Sequence, residues 1–171
     1  MVGTDIMLPL AVLYSMTMFG SIGGGWFPMY FINKGYNAYD GRMRAMFIIA
    51  LFPLLVLLAQ PFGYISFWVP VILIGIGASA HQAWSANIFT TVSDMFPKKA
   101  VGSVIGIGGM AGGFGGVFMS KLGGSLFDHY KALGHTETGY TIMFAICGLA
   151  YIAAWLIMKS LVPKYKPITD L

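Results

Sequence analysis

The chain has 171 residues, of which 57% are hydrophobic and only 9% are charged, with a formal net charge of +4 at pH 7. A soluble domain usually carries about 25% charged residues, so most of this chain is expected to face lipid or other apolar helices. The sparse, dispersed positive charge excludes a nucleic-acid-binding protein, and the single cysteine, Cys147, excludes an internal disulfide.

Five apolar segments predict membrane-spanning helices and therefore an all-α integral membrane protein. A helix needs about 20 residues to cross about 30 Å of hydrocarbon, and no segment shows the period-two alternation of barrel strands. The second segment is the shortest, and Pro53 and Pro61 predict a kink and a stop in it. The segments run over residues 6–32, 45–62, 65–92, 101–127 and 140–161.

The connections between these segments differ in basic charge. Alternate connections hold eight of the ten Lys and Arg residues, and the positive-inside bias places those connections and the C-terminus in the cytoplasm. The N-terminus then lies outside, which is unusual without a signal peptide and indicates a further span before Met1. We interpret the chain as the incomplete C-terminal half of a two-half protein; the alternative is a genuine five-span protein. The cytoplasmic loop residues are Lys34, Arg42, Arg44, Lys98 and Lys99.

Glycine is concentrated in the fourth segment, with eight glycines between residues 102 and 116. Their recurrent four-residue spacing clears one helix face for close contact with a neighbouring helix. "GIGGMA" and "GIGASA" match the dinucleotide-binding fingerprint, but both lie inside apolar spans and lack its strand context, so we favour packing. The predicted packing residues are Gly102, Gly106, Gly108, Gly112 and Gly116.

The third segment carries a series of polar side chains, here called the polar ladder, in "AHQAWSANIFTTVSD" at residues 80–94. Polar groups at membrane depth are costly, and they mark a substrate path or bond neighbouring helices. Amide groups suit sugar hydroxyls or a carboxylate, and an indole ring can stack on a sugar. The substrate-binding candidates are Asn87, Trp84, Gln82 and His81, with helix–helix bonding as the alternative for each.

The rest of the ladder is assigned to structure. Thr90 and Thr91 are expected to bond back to their own helix, and Asp94 to close the span before Pro97. No H-E-x-x-H, G-x-S-x-G or paired intramembrane carboxylate is present, and His81 has no ligand partner nearby in sequence. We therefore predict no catalytic residue, no metal site and no cofactor.

Two stretches carry a family resemblance. "GIGASAHQAWSANIFTTVSDMFPKKAVGSVIGIGGMAGGFGGVF" and "LYSMTMFGSIGGGWFPMYFINKG" resemble the anion:cation symporter family of the major facilitator superfamily, and within it the hexuronate transporters. The resemblance covers about 120 residues. It implies a major-facilitator-type helical bundle in which the five segments correspond to helices eight to twelve. The loop after the first segment keeps the basic residues of the superfamily's cytoplasmic loop motif, with Asn33 interpreted as the replacement for its acidic residue.

That resemblance implies a multi-pass protein of the inner (cytoplasmic) membrane, with a cytoplasmic C-terminus, that imports a small organic anion. The expected substrate is a hexuronate such as glucuronate or galacturonate, driven by a proton gradient rather than by a cofactor. Its proton-coupling carboxylates and substrate-binding arginine would lie largely in the missing N-terminal half, its partner. Two alternatives remain: an accessory or structural membrane subunit without its own transport activity, and a membrane enzyme that uses His81.

Overall fold

A computed structural model describes residues 6–169, and every regular element in that range is helical. No strand occurs between these residues, as the lack of period-two alternation predicts. The elements, in chain order, are α1 (Met7–Ile32), α2 (Ala38–Ile49), a 3₁₀ helix (Phe52–Leu58), α3 (Trp68–Met95), α4 (Lys98–Ala132) and α5 (Thr136–Leu161).

Four stretches are long and apolar enough to cross a membrane, one fewer than the sequence predicts. They are Met7–Ile32, Ala38–Leu58, Lys98–Ala132 and Thr136–Leu161. With 28 residues α3 is long enough, but the polar ladder in its C-terminal half keeps it outside these four stretches. Length and composition therefore support a multi-pass membrane protein without by themselves assigning α3 to the membrane.

The second predicted span is divided in two. Asn37 caps α2, since its side chain accepts a hydrogen bond from the backbone N–H of Asp40 at 2.8 Å. The α-helix ends at Ile49, and Pro53 lies in the first turn of the 3₁₀ helix that follows. Proline lacks a backbone N–H, so it fits a first turn but not a helix interior. The change of helix type thus falls close to Pro53, where the sequence predicts a kink. The apolar stretch Ala38–Leu58 begins earlier than predicted and ends three residues before Pro61, where the sequence predicts a stop.

The closest contact between two helices joins α1 and α3. Gly20 and Gly24 on α1 face Ser79 and Ala83 on α3, each pair four residues apart. A Cβ atom added to Gly20 would lie 2.3 Å from the carbonyl oxygen of Ser79, and one added to Gly24 would lie 2.3 Å from Cα of Ala83. Only glycine fits there, because any side chain would require backbone to move. The Ser79 hydroxyl also donates a 2.6 Å hydrogen bond to the Met16 carbonyl.

A core of buried residues lies where α2, α3 and α5 meet. Met46, Ile49 and Trp84 form its larger part, together with small residues of α2 and α3. Trp155 of α5 packs against this cluster, and its indole N–H donates a 2.8 Å hydrogen bond to the carbonyl oxygen of Met43. The core thus fixes α5 against α2, and Phe27 of α1 also packs against it.

The glycine-rich helix α4 contributes little to this core. Gly123 is its only buried residue. None of the five predicted packing glycines would bring an added Cβ within 4 Å of any described atom. Their four-residue spacing is that of a contact face, but the described chain supplies no helix to meet it.

Residues 162–169 cross the ends of two earlier helices. The backbone N–H of Ile168 donates to the Met95 carbonyl at 2.8 Å, and the Tyr165 hydroxyl donates to the Asp94 carbonyl at 3.3 Å. The Tyr39 hydroxyl donates to the carbonyl of Val162. This C-terminal segment therefore joins the start of α2 to the end of α3.

An ion pair lies at the same end of the molecule. The Arg42 Nε atom donates to the Asp94 carboxylate at 2.5 Å, and the two side chains are 11% and 22% exposed. Asp94 is the penultimate residue of α3, close to the predicted end of the span. It bonds Arg42, which the sequence assigns, with Arg44, to a cytoplasmic loop; the structure places both arginines in α2 instead. Arg42 is consequently not an exposed surface charge.

Candidate functional site

One face of the polar ladder lines a cleft between α3, α4 and α5. This opening, the ladder cleft, has a volume of ≈ 270 Å³. Its α3 residues recur at the three- and four-residue intervals of one helix face, and α4 and α5 supply the opposite walls. The residues that define it are His81, Trp84, Ser85, Ile105, Gly108 and Tyr151.

The polar contact in the ladder cleft joins α3 to α5. His81 Nδ1 lies 2.6 Å from the Tyr151 hydroxyl oxygen, in a hydrogen bond whose direction depends on the histidine tautomer. The Trp84 ring meets the Tyr151 ring edge-on, with centroids 5.4 Å apart. An exposed imidazole and a phenolic hydroxyl thus stand beside an aromatic surface, an arrangement that suits a small ligand with hydroxyl groups and an apolar ring face.

Sequence reasoning missed Tyr151. It lies in the fifth apolar segment, which carries several other aromatic residues, so nothing in its position marks it as a site residue. The available signal was its hydroxyl, because a buried tyrosine usually finds a hydrogen-bond partner. That rule indicates a partner without naming it, and His81 is 70 positions away in the chain.

The structure places the four predicted candidates in three different surroundings. His81 is exposed and Trp84 is buried, and both line the ladder cleft. Gln82 is exposed and lies outside the lining of that cleft. Asn87 is fully buried between α1 and α3. Two of the four are therefore brought together.

The surroundings of Asn87 explain why a polar residue is buried there. Its Nδ2 atom donates to the Gly24 carbonyl at 2.7 Å and to the Ala83 carbonyl at 2.8 Å. In a regular helix the Gly24 carbonyl would accept from the N–H four residues later, but that residue is Pro28, which has none. Asn87 supplies the missing donor. The Asn87 Oδ1 atom has no hydrogen-bond partner among the described residues.

The threonines behave as predicted. Thr90 donates to the carbonyl of Ala86 at 2.6 Å, and Thr91 donates to the carbonyl of Asn87 at 2.7 Å. Both bonds run back along α3 to the residue four positions earlier, so neither hydroxyl proton is available to a ligand.

The titratable side chains of the ladder cleft are His81 and Tyr151. No Asp, Glu, Lys or Arg lines it, and residues 6–169 contain no group of three His, Cys, Asp or Glu side chains that could hold a metal ion. The arrangement can bind and orient a ligand by hydrogen bonding and ring contact. A charged ligand would need its counter-charge from outside these walls.

A larger opening, of ≈ 460 Å³, lies beside the α1–α3 contact. Its lining includes Gly24, Phe27, Ile49 and Ala83, and its side chains with a polar group are those of Ser79 and Trp26. The Ser79 hydroxyl already donates to the Met16 carbonyl. We therefore do not regard this apolar opening as a recognition site despite its volume.

The predicted loop residues also differ in their surroundings. Lys98 and Lys99 are exposed in the first turn of α4. Lys34 donates to the Tyr30 hydroxyl at 2.6 Å, and the Arg44 guanidinium lies 4.2 Å from the centroid of the Tyr36 ring. Aromatic residues beside cations are typical of the ends of membrane-spanning helices.

Comparison of the chain with models of known protein families, with curated proteins and with solved structures gives no match. The likeness to hexuronate transporters therefore stays a resemblance carried by the quoted motifs. The helical architecture and the four apolar helices stand independently of it.

Proposed function

We propose that this chain is the C-terminal portion of a membrane transporter for organic anions. The proposed substrate is a hexuronate such as glucuronate or galacturonate, and the proposed driving force is a proton gradient. The observation that carries the proposal is the ladder cleft, where His81, Tyr151 and Trp84 combine hydrogen-bonding groups with an aromatic surface. Polar groups placed in this way within an apolar bundle are typical of a transport path.

In this proposal α3 also crosses the membrane, which gives five spans in all, with its polar residues facing a cleft and other helices rather than lipid. The cytoplasmic side is the one that carries Arg42 and Lys98. Transport would proceed by rocking of this half against another half around a midplane site. The absence of Lys and Arg from the walls of the ladder cleft fits a substrate whose carboxylate is bound by that other half.

The direct test uses Tyr151→Phe in the complete transporter. The change removes one hydroxyl and keeps the ring, so the contact with Trp84 persists. We expect glucuronate or galacturonate to bind roughly ten- to hundredfold more weakly, since a substrate hydroxyl or the His81 ring loses its partner. Tyr140→Phe is the matched control, because Tyr140 lies on the same helix and outside the ladder cleft. Equal affinities in both variants, measured by isothermal titration, would remove the ladder cleft from the proposal.

Topology is tested separately with single cysteines in a Cys147→Ser background. A cysteine at Gly63 should react with an impermeant thiol reagent added outside, and one at Lys98 should not. The reverse pattern would refute both the charge-based orientation and the assignment of helices eight to twelve.

A second candidate function is an accessory membrane subunit that binds a partner helix. The open glycine face of α4 favours it, because that face has no neighbour in the described chain. Uptake by proteoliposomes that contain this chain alone tests whether the chain transports without a partner. No proton-coupled hexuronate uptake is expected from an incomplete transporter, and robust uptake would contradict both the fragment interpretation and the accessory role.

A further inference from the structure

A second polar cleft lies between α1, α2 and α5, on the side that carries the basic loop after α1. Its volume is ≈ 380 Å³. Three charged side chains line it, namely Asp40, Arg44 and Lys159. Its remaining walls are apolar and largely aromatic, with Phe31, Phe47 and Trp155 among them. We call it the basic cleft, since it has two cations and one carboxylate.

The two cations are incompletely neutralised. Lys159 Nζ lies 3.9 Å from the Asp40 carboxylate, and both side chains are more than a third exposed. Such a loose, exposed pair contributes little to stability. The Lys159 ammonium also donates a 2.8 Å hydrogen bond to the Pro163 carbonyl, and its three N–H donors leave it able to donate to a further acceptor. Arg44 is exposed and forms no ion pair with any residue between 6 and 169; its guanidinium instead rests on the Tyr36 ring.

The basic cleft also has an apolar, aromatic wall. Phe47 is exposed and contacts the Trp155 ring, with centroids 4.8 Å apart. The Trp155 indole is fixed by its hydrogen bond to the Met43 carbonyl. A rigid apolar surface therefore runs from the cations toward the middle of two apolar helices, the geometry needed for a ligand with an anionic head and a hydrocarbon tail.

From this combination we infer that the basic cleft binds the phosphodiester head group of an anionic phospholipid. The phosphate accepts hydrogen bonds from Arg44 and Lys159, and an acyl chain lies along Phe47 and Trp155. Arginine favours phosphate because its planar guanidinium can donate two parallel hydrogen bonds. Basic pockets between membrane helices are suited to such head groups, and each cation near the surface strengthens binding several-fold. This site is independent of the ladder cleft and of any transported substrate.

The test measures lipid binding to the purified protein in detergent by native mass spectrometry. The probes are dihexanoyl phosphatidylglycerol, dihexanoyl phosphatidylcholine and inorganic phosphate. The wild-type protein should prefer phosphatidylglycerol to phosphatidylcholine by roughly tenfold or more. Equal affinities for the two lipids would overturn the inference, and so would inorganic phosphate binding as tightly as phosphatidylglycerol, because the ligand would then be a free anion.

Variants locate the site. Arg44→Gln combined with Lys159→Gln should abolish the preference for phosphatidylglycerol. Lys98→Gln combined with Lys99→Gln removes the same charge from the first turn of α4, on the same predicted side, and should leave the preference unchanged. Equal losses in both pairs would indicate general surface attraction and refute a defined site. Should the first pair unfold the protein, Arg44→Gln alone gives the same comparison, since that side chain is exposed and unpaired.

Discussion

Two helices of this chain are rich in small residues at four-residue spacing, and they lie in opposite surroundings. On α1, Gly20 and Gly24 press against the backbone of α3. On α4, the glycines from Gly102 to Gly116 meet no described atom within the range of an added Cβ. The difference lies in the opposite helix, because α3 presents Ser79 and Ala83 at the matching interval. A glycine series thus shows that a helix can approach another closely, but only matching small residues on a second helix show where that contact forms.

The largest expected effect comes from adding one methyl group at the α1–α3 contact. Gly24→Ala would place Cβ against Cα and Cβ of Ala83, so backbone must move, and we expect a loss of about 3 kcal/mol in the free energy of unfolding. Gly23→Ala is the matched control, because nothing lies within 4 Å of an added Cβ there. Both are measured by SDS titration in mixed micelles. Equal stabilities would show that the contact is looser than described.

The next effect tests whether Asn87 repairs the break that Pro28 makes in α1. Asn87→Leu leaves the buried Gly24 carbonyl without a donor, and we expect a loss of about 2 kcal/mol. In a Pro28→Ala background the residue at position 28 regains its N–H, so Asn87→Leu should cost about 1 kcal/mol less. The double-mutant cycle isolates this coupling. Additive effects would mean that Asn87 acts through other contacts, and reduced substrate affinity at unchanged stability would return it to the binding site.

A smaller effect is expected at the ends of α2 and α3. Arg42→Gln leaves the largely buried Asp94 carboxylate without its partner, at a cost of about 1 kcal/mol. Asp40→Asn, which breaks the longer and more exposed pair with Lys159, should cost less than half of that. Thermal melting of the two variants in the same detergent ranks them. A larger shift for Asp40→Asn would show that burial does not set the strength of these pairs.

The smallest expected effect is a gain in stability rather than a loss, on the open face of α4. Gly112→Ala meets no neighbour and improves helix propensity, so the isolated chain should gain roughly 0.5 kcal/mol. A loss of stability in the same SDS titration would mean that the face is already occupied, for instance by another copy of the chain. The comparison between α1 and α4 would then fail.

Local features of this structure were predictable from the sequence. Helical segments, the break at Pro53 and the back-bonded hydroxyls of Thr90 and Thr91 all depend on residues within one or two turns. Apart from the first, every predicted span differs from its helix by several residues at one end or both, because helices continue beyond their apolar parts or stop before those parts end. Hydropathy also predicted α3 as a span equal to the others, although its polar ladder keeps it outside the four stretches that are long and apolar enough to cross a membrane.

The site residues were less predictable because their partners are distant in the chain. Asn87 bonds a residue 63 positions away, His81 one that is 70 positions away, and Arg42 one that is 52 positions away. Periodicity places a side chain on a face but does not identify what that face meets. Pro28 was the one sequence clue to Asn87, since a proline inside a helix always leaves a carbonyl that needs a donor.

The C-terminal segment also sets an order on biosynthesis. Its contacts with Tyr39, Asp94 and Met95 cannot form until the ribosome has made all five helices. The start of α2 and the end of α3 therefore lack these contacts while α4 and α5 are translated and inserted. A chain that stalls or is cut before residue 162 would keep that end open, and quality-control proteases would meet an accessible edge that the finished protein covers.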